Sequence, residues 1–140
     1  MRELDAFVAQ QKGAVHIVGG VQENDVAHAE KTLGTLLAPE LKRYLSQYGC
    51  LAYRYLEFYG LGVPKSSHIN MTSRTIDLRK EGLPLQYVAI ADLDDGHYAI
   101  CDTSGMVYEW APANCDAVFN SLGCSFESYM LDCLRSASTE

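Results

Sequence analysis

The stretch "VAIADLDDGHYAICDTSGMVYEW", residues 88–110, decides the fold. Leu85–Leu93 is a strand rich in Val, Ile and Ala. Asp94-Asp95-Gly96 is a turn, because Asp tolerates a left-handed or Asx conformation and Gly takes positive φ without steric cost. His97–Asp102 is the return strand, with Tyr98 and Ile100 on one face. Thr103-Ser104-Gly105 turns the chain again, and Met106–Ala111 is a third strand. The stretch is therefore a β-meander.

Its acidic residues invite other readings, which their spacing restrains. A calcium loop of the EF-hand kind needs oxygen ligands at positions 1, 3 and 5, Gly at 6 and Glu at 12. Counted from Asp92, position 3 is Asp94, but position 5 is Gly96, position 6 is His97 and position 12 is Thr103. The turn reading prevails. His97 and Cys101 share a strand face and supply two soft-metal ligands, where a structural zinc site needs four. His97, Cys101 and Asp102 are the residue types of a cysteine nucleophile with its base. Asp102, however, alternates to the face opposite the other two. Asp94 and Asp95 read as an exposed, solvated tip with no cleft around them, a poor setting for a general acid–base pair. No G-x-S-x-G elbow, H-E-x-x-H, Walker spacing or G-x-G-x-x-G occurs. The sequence predicts no catalytic residue, metal or cofactor.

Working outward, residues 3–11 read as a short helix, and residues 13–20 as a short strand or an extended arm. Residues 24–33 form a helix with Asn24 as cap and Gly34 as stop. A second helix starts at Pro39 and ends at Gly49, with Leu41, Tyr44, Leu45 and Tyr48 on one face. Residues 52–60 change to the strand period, with Leu56 and Phe58 alternating against Tyr55, Glu57 and Tyr59. Residues 69–81 look helical. Residues 112–124 read as a polar connection. Ser125 caps a closing helix whose stripe is Phe126, Tyr129, Met130, Cys133 and Leu134. The expected architecture is α+β: a mostly antiparallel sheet covered by N-terminal helices and a C-terminal helix.

A chain of 140 residues, 48% apolar and 21% charged, suits one domain spanning residues 1–140 that needs no metal or disulfide to hold its core. The five cysteines are odd in number and contain no C-x-x-C, so they read as small reduced hydrophobes. No apolar run reaches the ~20 residues of a membrane helix, and the N-terminus lacks a signal-peptide core; a cytoplasmic protein is expected.

The charge is unevenly distributed. Residues 1–80 carry a balance of +2 and residues 81–140 one of −9, with no Lys or Arg between Lys80 and Arg135. Such a surface repels nucleic acid and anionic lipid and attracts basic proteins. Excess acid also serves solubility, which explains the total better than the segregation.

An ordered set of segments resembles the SUKH superfamily. "NDVAHAEKTLGTLLAPELKRYLSQYG" is similar to its opening two helices, and "LEFYGLG" to its next strand and turn. "DLRKEGLPLQYVAIADLDDGHYAICDTS" resembles its central block, and "GMVYEW" with "SFESYML" its final strand and helix. The likeness spans residues 20–134. Its signature positions fall on Glu30, Leu33, Gly34, Tyr48, Gly49, Tyr59, Gly60, Asp95, Gly96, Asp102, Trp110 and Phe126. The "LAPE" approach to the second helix departs from the commoner "LP" opening. The resemblance implies a small domain without enzymatic activity. Bacterial members look like immunity proteins that neutralise a toxin, often a nuclease, and a fungal branch is linked to control of cell-wall synthesis. A basic toxin would meet the acidic half, which makes Asp92, Asp94, Asp95, Asp102, Glu109 and Asp116 the expected contacts, with Tyr108 as an aromatic anchor. The alternative is an intracellular regulatory or scaffold domain with another protein partner.

Overall fold

The computed structural model describes residues 2–115 and 117–139. Its elements run α1 (Arg2–Gln10), β1 (Val15–Ile17), α2 (Glu23–Leu33), α3 (Pro39–Gln47), β2 (Leu51–Tyr53), β3 (Leu56–Phe58), α4 (Met71–Arg79), β4 (Val88–Asp92), β5 (Tyr98–Cys101), β6 (Met106–Ala111), a 3-10 turn (Ala113–Cys115), β7 (Val118–Ser125) and α5 (Phe126–Ser138). The strands form one antiparallel sheet whose spatial order repeats their chain order, β1 to β7. The α+β class and the meander at residues 88–111 are as the sequence predicts.

Three expectations are corrected. Residues 52–60 are not one strand. Leu51–Tyr53 and Leu56–Phe58 pair as a hairpin joined by Arg54-Tyr55, with Arg54 at φ 55. The residues after Pro112 are not merely a polar connection, since Val118–Ser125 is a seventh strand on β6. Asn24 lies inside α2. The cap is Gln22, whose backbone N–H donates to the Asp25 carboxylate.

The helices cover the sheet. α5 lies against β3, β6 and β7, α1 and α3 pack on α5, and α4 packs on β4 and α2. The buried side chains form one core. At its centre Phe126 meets Tyr44 edge-on, and Tyr129 meets Phe58 likewise. Tyr44 is wholly buried, and its hydroxyl is satisfied. It accepts from the Leu51 N–H at 3.1 Å and donates to the Tyr59 carbonyl at 3.1 Å. Burial pushes its phenol well above the ordinary range.

Several positions named by the SUKH likeness acquire physical reasons. The Glu30 carboxylate accepts from the Leu37 N–H at 2.8 Å and lies 3.6 Å from Lys42, which ties α2 to the start of α3. Gly60 and Gly49 put two backbones in contact. A Cβ on Gly60 would stand 1.8 Å from the Gly49 carbonyl oxygen.

Candidate functional site

The β4–β5 turn carries three carboxylates. Asp92 ends β4, and its Oδ1 accepts from the Asp94 N–H at 2.7 Å, which fixes an Asx turn. Asp94, Asp95 and Gly96 follow at φ 72, 56 and 80, three successive left-handed residues that Asp and Gly tolerate best. The two Asp side chains therefore splay into solvent. Gly96 is required twice, because a Cβ there would lie 2.6 Å from the Cys115 sulfur. Among the described residues no Lys or Arg forms an ion pair with Asp92, Asp94 or Asp95.

The turn borders a cleft. β3 pairs with β4 at Phe58–Ala91, and the Tyr59 N–H donates to the Ile90 carbonyl at 2.9 Å, but the pairing does not extend toward Leu56. The opening has a volume of about 510 Å³ and is lined by Tyr55, Glu57, His68, Arg74, Leu93 and Tyr129 as well as Asp92 and Asp94. Tyr55 is 62% exposed there and Leu93 36%, so the rim is partly apolar. Glu57 holds His68 at 3.1 Å. Arg74 lies over the rings of Tyr59 and Tyr98, donates to the Tyr98 hydroxyl at 3.3 Å and pairs with Asp77. The cleft thus has a fixed cation on one wall and solvated carboxylates at its mouth.

The remaining expected contact residues do not join this patch. Asp102 lies in the β5–β6 turn, at the opposite end of the sheet. The four residues of β5 alone separate the two turns by about 13 Å. Its carboxylate is engaged internally. Oδ1 accepts from the Ser104 N–H and hydroxyl and the Met106 N–H, and Oδ2 accepts from the Tyr108 hydroxyl at 3.0 Å. Partial burial pushes the Asp102 carboxyl up, but these hydrogen bonds outweigh it and hold the group below the usual range. Tyr108 shares that face, where its ring meets Tyr87 and Phe119. Glu109 alternates to the other face and binds His97 Nδ1 at 2.6 Å. Asp116 lies outside the described residues. The six described residues therefore do not share one contiguous surface, because β-strand alternation and successive hairpins distribute them. The residues missed by sequence reasoning, Tyr55, Glu57 and Leu93, reach the site through the β2–β3 hairpin and the splaying of β3 from β4. Reading Arg54-Tyr55 as a turn would have signalled the first two.

The cysteines carry no nucleophile signature. His97 and Cys101 stand about 13 Å apart along the strand. The Cys101 thiol donates to the Asp102 backbone carbonyl. Burial pushes Cys101 up to about 12 and Cys50 up to about 11. Among the described residues no three His, Cys, Asp or Glu side chains cluster as metal ligands, and no helix is long and apolar enough to cross a membrane.

Residues 4–135 match the family model SUKH_5, described as SMI1-KNR4 cell-wall. The chain belongs to the SUKH family. Members act through contacts with other proteins. The SUKH domain described here is similar to a solved structure, "Crystal structure of protein from Pseudomonas syringae pv. tomato". The two are 17% identical with a TM-score of 0.74, over 91% of this chain and 96% of that one. At that identity the likeness concerns the fold. No curated protein matches the SUKH domain.

Proposed function

We propose that this SUKH domain is a non-enzymatic immunity protein that binds and neutralises a basic, nuclease-type toxin through its acidic β4–β5 end. The observation that carries the reading is the exposure of Asp92, Asp94 and Asp95 beside the partly apolar cleft, with no Lys or Arg paired to them among the described residues. A nuclease binds phosphate with Lys and Arg, so dense carboxylates speed encounter and occupy the same sites. Tyr55 and Leu93 supply the apolar contact that charge alone does not provide.

The test is co-purification with, and rescue from, a toxin encoded by the adjoining reading frame. Kinetics are compared for wild type and for Asp94→Asn with Asp95→Asn, since Asn keeps the left-handed turn and removes the charge. Slower association and a flatter salt dependence in the double variant support the reading. Unchanged kinetics would overturn it. The family's cell-wall description favours a second reading, a regulatory domain with another protein partner. Fusion to further domains and absence of a neighbouring toxin gene would select it.

A further inference from the structure

The geometry points to a bipolar cleft between β3 and β4: its floor takes a carboxylate of the partner, carried on a segment whose neighbouring Lys or Arg side chains meet the acidic mouth. The inference rests on the reading of this cleft as a contact for a basic protein, and it names the kind of segment that enters.

The floor has more donors than acceptors. Arg74, on α4, lines the cleft and keeps 25% of its side chain exposed. Tyr59, just after β3, lines it as well and is 3% exposed. An Arg74 Nη donates to the hydroxyl of Tyr98, on β5, at 3.3 Å, and the guanidinium also donates to the Tyr59 hydroxyl. Both phenol oxygens are thus acceptors for Arg74, and among the described residues nothing accepts either phenol proton. Burial pushes the Tyr59 phenol up, so its proton stays in place at neutral pH. Arg74 Nε is buried and has no hydrogen-bond partner among the described residues. Buried donors in folded proteins nearly always find acceptors. A surplus gathered on one cleft wall is met by an acceptor from outside.

Charge selects the acceptor. Asp77 lies 3.5 Å from Arg74 and 4.0 Å from Lys80, so two cations share one carboxylate. An oxyanion therefore gains more at this wall than a neutral carbonyl does. At the mouth the sign reverses, because Glu57, Asp92 and Asp94 line the same opening. A free anion is repelled there, and a purely cationic segment is repelled by Arg74. A carboxylate flanked by Lys or Arg satisfies both. The order of charge along the partner segment is then part of the recognition, which the acidic turn alone does not supply.

Capped Lys-Glu-Lys and Lys-Gln-Lys peptides, titrated into the full chain and followed by the NMR signals of the Arg74 side chain, test the proposal. The Glu peptide should bind about tenfold more tightly than the Gln peptide, the difference that a hydrogen bond to a charged group makes. Tyr59→Phe removes the hydroxyl, keeps the ring and should narrow that ratio, as should Arg74→Gln. Asp94→Asn with Asp95→Asn should weaken both peptides alike and leave the ratio unchanged. Circular dichroism checks that each variant folds. Equal binding of the two peptides, no binding of either, or a ratio unmoved by both floor substitutions would overturn the carboxylate floor. A double Asn variant that binds both peptides as the wild type does would overturn the basic-partner reading of the mouth instead, whatever the ratio.

Discussion

Replacing Asp102 by Ala strands the Met106 and Ser104 N–H groups and the Tyr108 hydroxyl, and should cost about 1–3 kcal/mol in chemical denaturation. Asp102→Asn keeps an oxygen in the turn but removes the charge. The folded carboxyl of Asp102 titrates below its unfolded value. Its stabilisation is therefore complete above the usual carboxylate range and is lost as pH falls through the depressed folded value. Wild-type stability should decline through that acid window, and the Asn variant should decline less steeply. Tyr44→Phe leaves the buried Leu51 N–H unpartnered and should cost a similar 1–3 kcal/mol, roughly. Thiol-specific reagents should leave Cys50 and Cys101 unmodified at neutral pH until the chain is unfolded, because both thiols are buried and held protonated.

The β4–β5 hairpin concentrates what its residues demand. Gly96→Ala faces two obstacles, a left-handed φ that costs an L-residue roughly 1–2 kcal/mol and a collision with Cys115. Pairing it with Cys115→Gly should recover the collision but not the strain, so a double-mutant cycle measures each. This hairpin was legible because Asp-Asp-Gly and Thr-Ser-Gly between β-rich runs are strong turn signals. The β2–β3 turn was not, because Arg54-Tyr55 offers neither Gly nor Asn and its left-handed residue is an Arg. β7 was hidden for a different reason. Its sequence, VFNSLGCS, is short of β-branched residues and holds a Gly, since an exposed edge with a bulge does not need a buried face. The acidic turn of the candidate site was likewise visible as sequence. Its wall from β3 was not, since Glu57 and Asp94 line one cleft only because β3 pairs with β4, with α4 between them in the chain.

For the molecule as a whole, segregated charge along the chain did not become one surface. Alternation and the succession of turns sent Asp94 and Asp95 to one end, Asp102 to the other and Glu109 to the opposite face. Neutralising Glu57 with Asp94 and Asp95 should therefore slow association with a basic partner more than neutralising Asp102 with Glu109, as stopped-flow kinetics would report. The identity of spatial and chain order in the sheet also bears on synthesis. Each new strand finds its neighbour already made, so the sheet can grow as residues leave the ribosome. Yet Phe126, Met130 and Leu134, all fully enclosed, belong to the last helix. A chain cut after Ser125 would hold every strand of this sheet yet leave Tyr44 and Phe58 uncovered, so the core closes only when α5 docks.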